Sequence, residues 1–561
     1  MAVFTGAQAG YAIHLNTPGA GQVQVVDSLG AARDGTDVLT NIEVLQFSDS
    51  FMLLSSGTAA SPIDVSGLNL FGNTNTLTGT AGDDYLTVGS NVFGHQIDLG
   101  AGNDTVSLAS ADFYMLNLVN VEHVTGSAGN DFVTLVNDAS GLSVDLGAGT
   151  DNLTLAGGVN ALSAFNVENL NTNDFSGPAV DDTVTLLNDV TGMSVNLAQG
   201  NNTLNLAAGS NSFVDLFNVQ HINGTASDDV LTVTDGVFTP DGNPVVDLGA
   251  GDNTLNFGAQ NMSLTALNIE HINGTAPGDW LTLNNDVSGV SVDLGGGDSH
   301  LALANGANAV SVLGVANIIG SDFTGGVSPS DDTLTLLNDV SGVSVNLADG
   351  NNTLNLAAGT NSLDNLFNIA HLNGSASDDV LTVTQQSYAT AFDMGAGNDT
   401  INFGAQANGV TVVNAEAVNG SAGNDSISIG NSSAPATVTG GLGADNITVG
   451  STPVNFNFNS AAESQTGNGD TVVNFDASKD TFTFTNMTGP NGFSGPVHFV
   501  DTAVFDGSAA APHSEARVDT AGGNATLQID VNGDGVMDSH DIEIHLANYV
   551  GTLHDANFLL A

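Results

Sequence analysis

The sequence predicts an all-β fold, a solenoid of short stacked strands, and three observations carry that prediction. The first is a glycine-rich loop closed by an acidic residue, which recurs in pairs: 79–84 (GTAGDD) with 99–104 (LGAGND), 126–131 with 146–151, and 420–425 with 440–445. The closing aspartates of each pair stand 20 residues apart. The second is a fixed period. The first aspartates of the pairs, Asp84, Asp131, Asp182, Asp229, Asp279, Asp332, Asp379 and Asp425, follow one another at steps of 46 to 53 residues, the self-similarity expected of a repeat architecture. The third is alternation of apolar and polar residues over four to five positions, with β-branched residues bounded by Gly, Asn and Asp, the pattern of half-buried strands.

Residues 1–56 precede the repeats and contain a short β segment, 33–47 (RDGTDVLTNIEVLQF), suited to capping the end of a solenoid. Residues 57–450 form eight units. In each, a Leu-Thr-Val type segment follows the first aspartate. A polar turn, a Val-Ser-Val-Asn-Leu type segment, the second loop, Thr-Leu-Asn-Leu and a Phe-Asn-Val-Gln-His-Ile-Asn-Gly type segment come next. Counted as four strands, a unit makes about two coils, and at ~4.8 Å per strand the eight predict a rod of about 75 Å. A longer duplication overlies the period, because residues 181–233 recur almost unchanged at 331–383, an offset of 150. Residues 451–561 lose the loops and gain phenylalanine, which predicts a β-rich C-terminal domain.

Composition narrows the function. The chain of 561 residues carries 60 acidic side chains and only 3 basic ones, Arg33, Lys479 and Arg517, for a net charge of -57. Self-repulsion on that scale opposes compaction unless cations are bound, yet 41% hydrophobic residues are too many for an acidic disordered tail. Nucleic acid and anionic membrane are poor partners for a surface almost without basic groups. No apolar run reaches the roughly 20 residues of a membrane span. The first residues lack the features of a classical signal peptide. The absence of cysteine suits a large extracellular protein stabilised by metal rather than disulfides.

Calcium takes six to eight oxygen ligands from carboxylates and carbonyls. Glycines that reach positive φ turn carbonyls toward one point, the aspartate adds charge, and a second loop stacked one coil away completes the site. The spacing of 20 holds for seven of the eight pairs, while Asp229 to Asn253 spans 24. Residues 440–448 (GGLGADNIT) match the nonapeptide G-G-x-G-x-D-x-U-x in full, and 99–107, 394–402 and 420–428 match at all but one glycine. In these motifs the chain resembles the repeats-in-toxin (RTX) family. That resemblance implies a right-handed parallel β-roll that folds on binding Ca2+ outside the cell, with a type I secretion signal at the extreme C-terminus. The closing residues 527–538 and 555–561 are similar to the ends of such secreted proteins, serralysin-like proteases among them.

The departures from the family pattern are informative. Each pair is diluted into a unit of nearly 50 residues, and Asn202, Asn253, Ser299 and Asn352 stand where the second aspartate is expected. Tighter calcium sites are expected at Asp84/Asp104, Asp131/Asp151, Asp379/Asp399 and Asp425/Asp445, and weaker or vacant ones at Asp182, Asp229, Asp279 and Asp332. The competing reading makes these aspartates turn formers only. A second candidate is the EF-hand-like or dockerin-like loop Asp530, Asn532, Asp534, Asp538 and Asp541, with Gly535 at its sixth position. The same residues also suit a hairpin turn of a secretion domain.

His123, His221, His271 and His371 recur at a polar rung, too far apart to share a metal. Thr87, Thr134, Thr185, Thr232, Thr282, Thr335 and Thr382 read as one outward file. No H-E-x-x-H occurs, which excludes a serralysin-type zinc centre, and no catalytic cluster stands outside the repeats. The expected function is therefore not enzymatic. It is a secreted, calcium-dependent structural protein that self-assembles on the bacterial surface, in a surface layer or matrix filament. The low Lys and Arg content also resembles surface-layer proteins of Gram-negative bacteria. The expected partners are further copies joined through calcium-bridged contacts, type I secretion machinery and a cell-surface polysaccharide. The alternative is a calcium-rigidified adhesin or carbohydrate-binding protein, with ligand sites at the irregular stretches 170–180 and 317–330.

Overall fold

The computed structural model describes the chain apart from residues 18, 67, 69–75, 90–92, 110–113, 173–177, 240–241, 259–261, 276–277, 286, 321–329, 386–390, 405–407, 486, 488–491, 494–495, 506–513 and 522–523. It comprises two compact units, Met1–Ala276 and Pro277–Ala561. Each is a β-solenoid whose strands alternate between two parallel sheets, and among the described residues there is no α-helix.

The first unit begins with an antiparallel sheet of Tyr11–Leu15, Gln22–Asp27 and Thr36–Thr40. Phe4, Tyr11 and Phe47 pack together beneath it with Val25 and Leu45. Arg33 pairs with the buried Asp27 and lies over the Tyr11 ring, so one of the three cations serves this flank. Ser50–Leu53 then pairs in parallel with Thr76–Thr78, which passes the chain into the first coil.

Along the coils, strands one coil apart pair in parallel and mostly in register. Tyr85–Val88 pairs with Thr105–Leu108, and Thr105–Leu108 pairs with His123–Ser127. Constant register stacks like on like. Leu86, Val106, Val124, Val144 and Ala164 make one buried aliphatic file, while Thr87, Ser107 and Thr125 stack outside it. Burial of such side chains, about 1.5–3 kcal/mol each, is the main force holding a coil.

The repeat holds five strands rather than four. That which starts at Asp182 contains Thr183–Leu186, Met193–Asn196, Thr203–Asn205, Ser210–Phe217 and His221–Thr225. The segment counted once in sequence is two strands broken at Asn218, whose φ of 56° turns the corner and whose amide donates to Leu197 O. Asn120, Asn166 and Asn268 turn the matching corners at φ 51–53°, a conformation asparagine accepts more readily than most residues. At two strands per coil a repeat is two and a half coils, so each new loop pair falls on the other sheet. Asp84/Asp104 and Asp182/Asn202 lead into strands of one sheet, Asp131/Asp151 and Asp229/Asn253 into strands of the other. The threonines accordingly form two files in this unit: Thr87 and Thr185 on one sheet, Thr134 and Thr232 on the other.

The second unit repeats the plan. Asp279/Ser299 and Asp379/Asp399 lead into one sheet, and Asp332/Asn352 and Asp425/Asp445 into the other. Its C-terminal residues continue both sheets. Val454–Phe458 and Thr481–Phe484 add two strands to one, and Phe558–Leu560 ends it. Asp470–Val473 extends the other and pairs with Ile542–Ala547, the start of an antiparallel run through Asn524–Asp530 and Glu515–Ala521. The phenylalanine-rich composition becomes a stacked core of Phe456, Phe458, Phe475, Phe482 and Phe484.

Candidate metal centre

The loops that enter each strand approach the neighbouring coil so closely that side chains do not fit. A Cβ on Gly126 would collide with the main chain at Leu146, and Gly147 holds φ at +88° against Ser127 O. This contact places the closing aspartates inside the solenoid wall. All eight first-loop aspartates and all four second-loop aspartates are buried.

The first-loop aspartates close their own turns. Asp84 Oδ2 accepts from the Thr80 N–H at 2.7 Å, and Asp131, Asp229, Asp379 and Asp425 accept in the same way from Ser127, Thr225, Ser375 and Ser421. Asp182 and Asp332 accept instead from the main chain and amide of Asn160 and Asn308.

The second-loop residues bind one coil to the next. Asp104 Oδ1 accepts from the Asp84 N–H at 2.7 Å, and Asp151, Asp399 and Asp445 do the same for Asp131, Asp379 and Asp425. Their other oxygen, Oδ2, is buried and without a hydrogen-bond partner in all four. At the degenerate positions the same acceptor contact is kept by Asn202, Asn253, Asn352 and, through its hydroxyl, Ser299. There, however, the second polar atom is a donor that is used. Asn202 Nδ2 donates to Ala198 O and Asn218 O, Asn253 Nδ2 to Gly249 O and Asn268 O, and Asn352 Nδ2 to Ala348 O and Asn368 O. Ser299 Oγ donates to Gly296 O. The residues at the same offsets from Asp104 are Gly100 and Asn120.

A further rung was not read from the sequence. The N–H of Asp104, Asp151, Asn253 and Asp399 donates to Glu122, Glu168, Glu270 and Glu416, and that of Asn202 to Gln220. Asp445 donates to Asp470, which lies in the C-terminal flank with a buried, unpartnered Oδ2 of its own. Glu122 and Glu270 sit one residue before His123 and His271, and Glu168 and Glu416 hold the same place before Asn169 and Ala417, so a recurrent Glu there was the available signal.

Burial pushes Asp104, Asp151 and Asp445 up to about 6, reinforced by neighbouring carboxylates, and Asp470 to about 8. Asp399 is raised for the same reason. At neutral pH the buried, unpartnered oxygens of the second-loop aspartates therefore call for a positive charge, and a hard cation of calcium's type fits them. Among the described residues no three carboxylate or imidazole groups converge on one point, so further oxygens at such a site would come from main-chain carbonyls. The histidines are polar rung residues; His221 contacts Asn201 and His271 contacts Asp252.

Residues 530–541 connect two antiparallel strands. Asp530 accepts from the Gly533, Asp534 and Gly535 N–H groups, Asp541 from Val531 and Asp538, Asn532 from Asp534, and Asp534 from Val536. Asp538 binds His540, which lowers its pKa, whereas burial lifts Asp541 to about 6. Of the two irregular stretches on which the adhesin reading rests, 170–180 and 317–330, residues 173–177 and 321–329 lie outside the described residues.

Residues 368–558, roughly a third of the chain, match the family model described as Peptidase M10 serralysin C terminal. The matched region is not the catalytic part of those peptidases, and such domains are typical of RTX-type secreted proteins. A search of curated protein sequences finds no match.

Proposed function

We propose that the chain is a secreted, non-enzymatic scaffold of the bacterial surface, folded by calcium and assembling with further copies into a layer or filament. The observation that carries the calcium reading is the buried, unpartnered Oδ2 shared by all four second-loop aspartates, Asp104, Asp151, Asp399 and Asp445; Asp182 and Asp470 each bury such an oxygen as well. These residues would hold the ions, together with main-chain carbonyls of the adjoining glycine loops. The ions supply positive charge that offsets part of the net -57 and tie one coil to the next. The serralysin-type C-terminal match supports export by a type I route and an extracellular location. Assembly is favoured because nearly the whole chain is repeat, so that faces and edges recur at fixed intervals, and calcium can bridge acidic faces of separate copies. A cell-surface polysaccharide is the proposed anchor.

Electron microscopy of the purified full chain in millimolar calcium tests assembly. Sheets or filaments that dissolve in chelator are expected, and a monodisperse monomer in both conditions would remove the assembly claim.

A further inference from the structure

We infer that Asn253 and Asn352 are built-in substitutes for the cation, so that the coils they close stay folded without calcium while those closed by Asp104, Asp151, Asp399 and Asp445 do not. The inference rests on the calcium reading above and goes beyond it, because it assigns opposite metal requirements to coils of one solenoid.

The molecule contains its own comparison. All eight second-loop side chains accept the N–H of the first-loop residue one coil away. In the four aspartates the remaining oxygen is buried and unpartnered; Asp182, across from Asn202, also buries such an oxygen, so Asn253 and Asn352 carry the contrast. In the three asparagines the atom in its place is an N–H2 that reaches two carbonyls, one four residues back and one at the next asparagine corner. Ser299 donates to a carbonyl of its own loop. Carbonyl oxygens are met equally by an amide donor or by a cation, but a bare carboxylate oxygen beside them repels. Amide and cation are thus alternative ways of completing one electrostatic pattern, and the amide is covalently present at all times.

The distribution follows sequence blocks. In Met1–Ala276 the aspartate-closed coils come first and the asparagine-closed ones second, and in Pro277–Ala561 the order is reversed. Within each unit the metal-independent coils offer a formed sheet edge on which the metal-dependent coils can stack when calcium arrives. A chain that meets calcium only after export would then start folding from the middle of its sequence.

Hydrogen exchange of the full chain, with and without chelator, tests this. Peptides around Asn253 and Asn352 should keep their protection in chelator. Peptides around Asp104, Asp151, Asp399 and Asp445 should lose about 10- to 100-fold, the range that an unpaired buried polar group supplies. Equal loss in both sets overturns the inference but leaves the calcium reading standing, whereas loss in neither set overturns the calcium reading itself. Asn253→Asp and Asn352→Asp should each make their own coil chelator-sensitive, restored by calcium, with one more ion bound. A variant coil equally protected in both buffers, or unfolded in both, contradicts the equivalence of amide and cation.

Discussion

Replacing Asp104 by asparagine reverses the test, and its magnitude follows from the site. In the absence of calcium Asp104 is a buried carboxylate whose pKa is pushed from 3.8 to about 6 by burial. Keeping it ionised at neutral pH therefore opposes folding by up to about 3 kcal/mol, two units at 1.36 kcal/mol each. The amide removes that opposition and gains up to two hydrogen bonds to carbonyls, of about 1 kcal/mol each. Together these terms lead Asp104→Asn to stabilise its coil in chelator by about 2–4 kcal/mol. In calcium at 100 times the dissociation constant the wild type regains about 2.7 kcal/mol, and the advantage largely vanishes. The pH dependence has a fixed sign. A raised folded-state pKa favours the fold below 3.8, and that contribution is lost as pH rises through about 6. The advantage of the variant in chelator should therefore be largest at pH 7 and shrink toward pH 4. Opening free energies from native-state hydrogen exchange across residues 99–125 measure this directly. A variant less stable than the wild type in chelator at pH 7 would refute the reasoning.

Three other outcomes are expected. Gly126→Ala places a methyl group against the Leu146 main chain and should cost about 1–3 kcal/mol or more; Gly141→Ala, where φ is +75° but the space is open, should cost only about 1 kcal/mol, both read by thermal denaturation. Asn218→Ala loses both a residue suited to φ 56° and the bond to Leu197 O and should destabilise the corner by about 1–2 kcal/mol, visible as faster exchange of residues 210–225. Asp470, lifted to about 8 by burial, should make the C-terminal coils of the calcium-free chain progressively less stable between pH 4 and pH 8; in Asp470→Asn that slope should flatten, by the same exchange measurement.

Much of the architecture was open to sequence reading because the solenoid is locally encoded. Alternation fixed the buried file from Leu86 to Ala164, and the loop spacing fixed the stacking partner of every aspartate. The alternation of loop pairs between sheets was also present in the numbers, since repeats of nearly 50 residues and coils of 20 leave half a coil over. It was hidden because Ser210–Phe217 and His221–Thr225 run together in sequence, and only the positive φ at Asn218 separates them. At the candidate site, the positions where Asn or Ser replaces Asp were plain. That these side chains point into the wall and meet carbonyls was not, because those contacts join residues 15–16 apart through a corner. The Glu122 rung escaped for a related reason: its partner lies 18 residues away, and the same place is Ala316 and Ala370 in other repeats.

A count of tightly bound calcium in the full chain tests the central claim most directly, comparing the wild type with the combined Asp104→Asn, Asp151→Asn, Asp399→Asn, Asp445→Asn variant by equilibrium dialysis. The account predicts that the variant remains folded in chelator and binds at least one ion fewer for each substituted aspartate. Equal calcium counts in the two proteins would contradict it.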